Sequence, residues 1–159
     1  RLLDISADGQ KLLVATRSRL QIWDWDTNEQ TELPRQWFTH LTSAHFSPDA
    51  QTVVTTSYTQ PNVHLKVWNP ATGELQAKIL LSSARESWGY GDRLALTNDA
   101  VMVSTADGLK IWDLQTAELV AVLEQAPISQ LTMSLDGRQL IGLADDGANN
   151  TQIQIWQRP

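Results

Sequence analysis

Short apolar stretches separated by polar turns recur along the whole chain. Some are runs of β-branched or apolar residues, and others alternate apolar and polar positions before a tryptophan. The runs are Leu12–Ala15, Val53–Thr56, Val101–Ser104 and Leu140–Leu143, and the alternating stretches are Leu20–Trp23, Leu65–Trp68, Leu109–Trp112 and Ile153–Trp156. Because successive side chains of a strand point to opposite faces, both patterns predict β-strands.

Two markers repeat in phase along the chain. The first is a tryptophan that ends an alternating stretch, at Trp23, Trp68, Trp112 and Trp156, with spacings of 45, 44 and 44 residues. The second is a strand that runs into a tight acidic turn, at Ile5–Gly9, Phe46–Ala50, Leu96–Ala100 and Met133–Gly137. Two markers in register indicate an internal repeat, and a period of this length is typical of stacked structural units.

Each of the first three tryptophan strands is followed by a turn and a weaker fourth strand. The turns are Asp26–Glu29, Asn69–Gly73 and Asp113–Ala117, and the fourth strands lie near Thr31–Leu33, Glu74–Leu80 and Glu118–Leu123. Each repeat is therefore predicted to be a four-stranded antiparallel meander, and the last repeat, which stops at Pro159, lacks its outer strand. Small sheets with two apolar faces bury them by stacking around an axis, so we expect an all-β fold built as a β-propeller segment of four blades.

These residues resemble WD40 repeats. In that family a strand of the form V-x-F-S-P-D-G precedes a second strand, a turn aspartate and a strand of the form I/V-x-L/V-W-D. Phe46–Asp49 and Ile111–Asp113 match this pattern most closely, and the four copies cover essentially the whole chain. The resemblance implies a single partial propeller domain over 1–159, with blades of approximately 1–38, 39–82, 83–125 and 126–159, and the composition is similar to that of bacterial WD40 proteins.

The resemblance also implies which residues form the structural framework: Trp23, Trp68, Trp112, Trp156 and Asp107. In the family, a Gly-His pair ahead of the first strand joins a Ser/Thr, the turn aspartate and the tryptophan in a buried network. This chain lacks the pair, and Trp37 and Trp88 stand near the expected points of the second and third repeats. Ser104 or Thr105 remains a candidate in the third repeat, and we expect the indole N–H groups to find other partners because an unpaired buried donor is costly.

The strand count predicts that the repeats need further blades. WD40 propellers commonly have seven or eight blades, and four blades would leave two apolar sheet faces open. We therefore expect this chain to be the C-terminal portion of a longer propeller. A second copy that completes an eight-bladed ring is the competing expectation.

Composition and charge narrow the class of protein. The 159 residues suffice for one folded domain. A formal net charge of −6 disfavours non-specific electrostatic binding to nucleic acid. The chain has no cysteine, which excludes disulfides and thiolate metal sites and agrees with a cytoplasmic location. The apolar runs are only a few residues long, so no membrane span is predicted.

Catalytic and cofactor patterns are missing from the sequence. The three histidines, His40, His45 and His64, do not have metal-ligand spacing, and no Gly-x-Ser-x-Gly or phosphate-binding loop occurs. Asp145–Asn150 lacks the glutamate and the alternating oxygens of a calcium loop. We therefore predict no catalytic residue, no metal and no cofactor.

Surface recognition is the remaining interpretation. In WD40 proteins the loops of one rim dock partners, and on this chain the corresponding positions hold the candidate partner-binding residues Arg17, Arg19, Trp37, Tyr58, Arg85, Trp88 and Tyr90. Aromatic residues and arginine dominate interaction hot spots. Two alternatives stay open: Trp88 and Tyr90 plug the gap left by the missing Gly-His pair, and the Arg17–Arg19 turn is simply solvated.

The predicted function is that of a non-catalytic scaffold that binds a protein or peptide partner through loops on one rim. The alternative is a regulatory or substrate-docking propeller module of a larger enzyme, such as a kinase, protease or NTPase, whose catalytic part lies elsewhere. A fold does not fix a function, so both depend partly on the family resemblance.

Overall fold

The computed structural model describes residues 1–16, 19–34, 40–59, 62–82, 93–105, 108–123, 128–134, 137–145 and 151–157. Within these residues the chain forms fifteen β-strands and no helix. All of the strands pair antiparallel with neighbours in the sequence, and they make four separate sheets.

The first two sheets have four strands each. The first sheet consists of β1 (Leu2–Ile5), β2 (Lys11–Ala15), β3 (Leu20–Asp24) and β4 (Glu29–Leu33). The second sheet consists of β5 (His40–Phe46), β6 (Val53–Thr59), β7 (Asn62–Trp68) and β8 (Leu75–Ser82).

The other two sheets differ in their number of strands. The third sheet consists of β9 (Leu94–Leu96), β10 (Ala100–Thr105), β11 (Gly108–Asp113) and β12 (Leu119–Leu123). The fourth sheet consists of β13 (Ile128–Met133), β14 (Gln139–Asp145) and β15 (Thr151–Gln157). The predicted all-β class, the meander sheets and the three-stranded last sheet are therefore confirmed.

The acidic turn after the first strand has the same construction in three sheets. The Ser6 hydroxyl donates to Asp8 Oδ1 at 2.6 Å and accepts the N–H of Lys11 at 2.8 Å. In the second and third sheets, the hydroxyls of Ser47 and Thr97 likewise donate to Oδ1 of Asp49 and of Asp99, both at 2.6 Å. A short polar side chain that bonds its own backbone favours a turn over continued strand, which explains why the repeat carries this marker.

The turn after each of the first three tryptophan strands is also built by one side chain. Asp24, Asn69 and Asp113 each accept two backbone N–H groups from the residues two and three positions ahead. Hydrogen bonds from the backbone of Thr27 and of Thr116 contribute most to lowering the pKa values of Asp24 and Asp113. In the same turns Asn28 and Ala117 have φ values of 60° and 59°, in the left-handed region where the second sheet has Gly73.

The chain divides into two compact units, residues 1–85 and 86–159, and each unit contains two sheets. The core of the first unit consists of Leu13, Leu20, Ile22, Leu33, Ala44, Phe46, Ala50, Val53 and Trp68. The core of the second unit consists of Ala95, Met102, Leu109, Ile128, Leu131 and Leu140. In both units the core joins one sheet to the next, and the single domain with its blade bounds stays a prediction.

Candidate functional site

The four predicted framework tryptophans have different surroundings. Trp68 is 4% exposed and belongs to the core of the first unit. Trp112 is also buried, and Trp156 is half-buried and packs against the core of the second unit. Trp23, by contrast, is 38% exposed.

The exposure of Trp23 follows from the face of the sheet on which it lies. Trp68 pairs with Val53, and both pack against the face of the first sheet that carries Leu13. Trp23 pairs with Leu12, which neighbours Leu13 along β2, so the alternation of side chains places Trp23 on the opposite face. Among the described residues of the first unit, no second sheet covers that face.

The indole N–H groups of three tryptophans have partners in the described residues, and only that of Trp68 is a Ser/Thr hydroxyl of the kind that the family resemblance implies. Trp23 donates to Asn28 Oδ1 at 3.2 Å, and Trp25 donates to the carbonyl oxygen of Gly9 at 2.7 Å. Trp68 donates to Thr55 Oγ1 at 2.9 Å in a buried bond. The indole N–H groups therefore have hydrogen-bond partners, as expected. In the first sheet the partners belong to nearby turns, and in the second sheet the partner belongs to the adjacent strand.

The hydrogen bond from the Trp68 indole depends on which residue occupies one position of the adjacent strand β6. Thr55 pairs with Lys66, two residues before the tryptophan. The equivalent positions in the first, third and fourth sheets hold Val14, Val103 and Gly142, which have no hydroxyl. The hydroxyls proposed for the third repeat bond elsewhere: Ser104 contacts Ile128, and Thr105 donates to the carbonyl oxygen of Gly108.

One polar side chain connects the two sheets within each unit. In the first unit Asp4 Oδ2 accepts the N–H of Phe46 at 2.8 Å, and His45 Nδ1 lies 3.7 Å from the same oxygen. In the second unit the Ser104 hydroxyl donates to the carbonyl oxygen of Ile128 at 2.9 Å and accepts the N–H of Ile128 at 3.2 Å. These bonds fix the first strand of one sheet against its neighbour.

The Asp4 link predicts a pH dependence of stability. Burial raises the pKa of Asp4, but His45 and the N–H groups of Phe46 and Ile5 together lower it below the ordinary value of 3.8. The carboxylate therefore stabilises the fold fully above pH 3.8, and this contribution is lost as the pH falls through the lowered pKa. We expect Asp4→Asn to cost about 1 kcal/mol of unfolding free energy at pH 7.

Urea denaturation at pH 7 and at about pH 3 checks this prediction. The difference between the wild type and Asp4→Asn should shrink at the lower pH. Asp26→Asn, in an exposed turn, serves as the control and should change little at either pH. An equal cost of Asp4→Asn at both values would contradict the role of the carboxylate charge.

The structure describes two of the seven candidate partner-binding residues. Arg19 is exposed and pairs with Glu32 at 3.3 Å, an ion pair between two exposed side chains that contributes little to stability. Tyr58 is half-buried on β6, opposite Val63. Arg17, Trp37, Arg85, Trp88 and Tyr90 lie outside the described residues, as does the framework residue Asp107.

Where the structure describes the chain, no three His, Cys, Asp or Glu side chains come together in a group that could hold a metal ion. No helical segment of that part has the length and apolar character needed to traverse a bilayer.

A groove lies between the third and fourth sheets, within the second unit. Its volume is about 430 Å³. The apolar lining includes Met102, Ile111, Leu123, Met133, Leu140 and Trp156, together with Ala100 and Val120, and charges of both signs, from Asp99, Asp113 and Arg138, lie along it. An apolar lining with a few charged groups is typical of a surface that receives another molecule.

In the first unit, the surface equivalent to this groove lies between the first and second sheets, and it is covered. The residues equivalent by register to Met102, Ile111, Leu123, Met133, Leu140 and Trp156 are Leu13, Ile22, Leu33, Phe46, Val53 and Trp68, and all six of these are buried. The turn between β7 and β8 packs on β4 so closely that a Cβ at Gly73 would lie 2.5 Å from the carbonyl oxygen of Glu32. In the second unit the positions on β12 that correspond to this contact include Val122, which is exposed.

The strand β15 is the last described strand of the fourth sheet and lies beside this groove. It pairs with β14 on one side, and no other described strand pairs with it. Trp156 faces the groove, whereas Ile153 and Ile155 are on the other face and are 67% and 60% exposed. The strand Thr151–Gln157 carries no charge, so it lacks the charged side chains that often protect an edge from pairing.

The sequence pointed to the rim loops and did not identify the groove. The uncharged alternation of Thr151–Gln157 was the signal that could have identified β15 as the strand beside it. The groove itself depends on how two sheets pack together, and the residue pattern of a single strand does not indicate this packing.

Comparison with known proteins establishes the architecture. No protein-family model matches the chain, and no curated protein matches its sequence. Among solved structures, a mitotic checkpoint complex aligns with 99% of the chain at a TM-score of 0.72 and 17% identity. TolB from Acinetobacter baumannii aligns with 99% at 0.69 and 13% identity, and hydrazine synthase from Kuenenia stuttgartiensis with 98% at 0.68 and 16% identity.

The chain is a β-propeller segment. Its four sheets are the blades, and the predicted fold class is confirmed. At identities of 13% to 17% the similarity shows the fold alone. The propeller segment spans 48%, 40% and 45% of the three matched chains.

Proposed function

We propose that this propeller segment is a non-catalytic scaffold of the WD40 type that binds a protein partner. The WD40 assignment is supported by the four in-phase repeats and by the Trp68–Thr55 bond, which joins a strand tryptophan to a hydroxyl of the preceding strand. One structure with a similar fold belongs to a protein complex, the mitotic checkpoint complex. Rim contacts by Arg19 and Tyr58 and a cytoplasmic location stay predictions.

The edge of β15 beside the apolar groove carries this proposal. The edge offers a row of backbone hydrogen-bonding groups, and the groove offers apolar surface for side chains on one face of an added strand. Strand addition of this kind obtains affinity from the main chain and specificity from alternate side chains.

The ligand that best fits the groove and the edge of β15 is part of a protein partner. This part consists of a tight turn followed by an extended segment. In the second blade, the chain that follows Trp68 makes a turn over the neighbouring blade and then pairs along the edge of β7 as β8. The chain itself therefore shows how a turn and a strand cover this type of surface. A partner with apolar residues at alternate positions would cover the groove in the same way.

A labelled peptide tests the proposal. The probe is residues 69–82 of this chain, which comprise that turn and β8, with a fluorescent group at one end. We expect saturable binding by fluorescence anisotropy, and we expect Ile155→Lys to weaken it about tenfold because a charge protects an edge strand. Thr132→Lys, on the exposed side of β13 in the same blade, is the matched control.

A second peptide controls for pairing through the backbone. Replacing Ala77 of the probe by proline removes a ladder donor and should abolish binding. Equal binding of both peptides, or equal binding by the wild type and Ile155→Lys, would show that β15 does not accept a strand and would refute the proposed partner site.

A further inference from the structure

The second blade contains a group of buried polar atoms that the interaction site does not use. Ser57 on β6 and His64 on β7 are direct cross-strand partners. Ser57 Oγ and His64 Nδ1 are both buried and have no hydrogen-bond partner among the described residues, and the same is true of Thr59 Oγ1 nearby on β6. Three such atoms at one end of one strand pair require an explanation, because native proteins leave few buried polar groups unpaired.

A small cavity lies beside Ser57. Its volume is about 20 Å³, enough for one ligand of the size of a water molecule. The apolar part of its lining includes Leu20 and Trp68, and the polar side chains that line it are Thr55, Ser57 and Lys66. Ser57 is 4% exposed, so its unpaired hydroxyl is a buried group at the wall of the cavity.

The polar groups of this cavity offer donors. Thr55 Oγ1 accepts the indole N–H of Trp68, which leaves its own hydroxyl proton available. Ser57 has an unpaired hydroxyl, and the Lys66 ammonium has three donor protons and no acceptor. A ligand that accepts from all three groups would satisfy the cavity.

The local field is positive. Lys66 is buried, and Lys78 is its cross-strand partner on β8. Burial, followed by the charge of Lys78, lowers the pKa of Lys66, and burial followed by both lysines lowers the pKa of His64. The Trp68 ring, 5.8 Å from Lys66 Nζ, attracts the ammonium without neutralising it.

We propose that this cavity binds a monovalent anion of the size of chloride, held by Lys66 and by the hydroxyls of Ser57 and Thr55. A water molecule would pair the Ser57 hydroxyl, but only an anion would also offset the positive charge of Lys66, and charged groups withdrawn from water are normally paired. The ion would contact residues of both blades of the first unit, since Leu20 belongs to the first blade and Lys66 to the second.

Thermal unfolding in sodium chloride and in sodium gluconate at equal ionic strength tests the site. We expect the melting temperature to rise with chloride along a one-site saturation curve and to change less with gluconate, because a ligand that binds the folded state stabilises it. Lys66→Met should abolish the chloride-specific rise whatever its effect on the baseline stability. Ser57→Ala should raise the apparent dissociation constant about tenfold, as expected for one lost hydrogen bond to a charged group.

Lys110→Met is the matched control, because Lys110 stands at the equivalent position of the third blade, two residues before Trp112. It should leave the chloride response unchanged.

Chloride-35 NMR gives a readout that is independent of stability. The wild type and Lys110→Met should broaden the chloride line in excess of free solution, and Lys66→Met should not. Equal broadening by all three proteins, or identical melting curves in chloride and gluconate, would show that the cavity holds only water and would overturn the proposal.

Discussion

Replacing Ser104 by alanine is expected to lower the free energy of unfolding by about 2–3 kcal/mol. The Ser104 hydroxyl donates to the carbonyl oxygen of Ile128 at 2.9 Å and accepts its N–H at 3.2 Å, and both bonds are buried. The substitution leaves two buried backbone groups of Ile128 without their partner. Leaving a buried polar group unpaired costs more than the net contribution of a hydrogen bond in a folded protein.

Two measurements check the Ser104 prediction. Urea denaturation gives the free energy, and hydrogen exchange at the Ile128 amide should accelerate in the variant because that N–H loses its acceptor. Ser129→Ala is the matched control, since it removes an exposed hydroxyl that donates to the carbonyl oxygen of Leu143 at 3.1 Å. Water replaces that bond, so we expect a change within about 0.5 kcal/mol. Equal effects of the two substitutions would refute the importance of the buried link.

Replacing Gly142 by valine is expected to destabilise the second unit by about 2–3 kcal/mol. A Cβ at this position would lie 3.0 Å from the Ile128 Cγ2 atom and 3.0 Å from the Trp156 atoms Cη2 and Cζ3. The other blades have Val14, Thr55 or Val103 at this register position, so valine is the residue that the repeat itself suggests. The fourth blade uses glycine because its tryptophan occupies that space.

Chemical denaturation and tryptophan emission check this prediction. We expect a lower unfolding free energy and a shift of the emission towards longer wavelengths as Trp156 moves outwards. Gln152→Val, at an exposed position on β15, is the control and should stay within about 0.5 kcal/mol of the wild type. A Gly142→Val protein with unchanged stability would mean that the indole has room to move without loss of packing.

The strands and their grouping could be predicted because they are properties of short stretches. The alternation before each tryptophan gives the two faces of a strand, and the Ser/Thr-x-Asp pattern gives the turn that follows the first strand. The phase of Trp23, Trp68 and Trp112 then places equivalent strands in equivalent sheets. These signals need no knowledge of neighbouring blades.

The contacts between blades could not be predicted from such patterns. Asp4 bonds a backbone group 42 residues away and Ser104 bonds one 24 residues away, and neither partner is indicated by the repeated pattern. The exposure of Trp23 is a further case, because its sequence context matches that of buried Trp68 and only the neighbouring sheet distinguishes them. The groove and the anion cavity depend on the same long-range packing.

The pairing of every strand with its neighbour in sequence has a consequence for biosynthesis and descent. A blade can form its ladder as soon as its own forty or so residues have left the ribosome, since no strand has to wait for a distant partner. Tandem duplication or deletion of one such unit changes the number of blades and leaves the remaining ladders intact. Residues that form hydrogen bonds between adjacent blades, such as Asp4 and Ser104, are then the ones that must be substituted to fit a different adjacent blade.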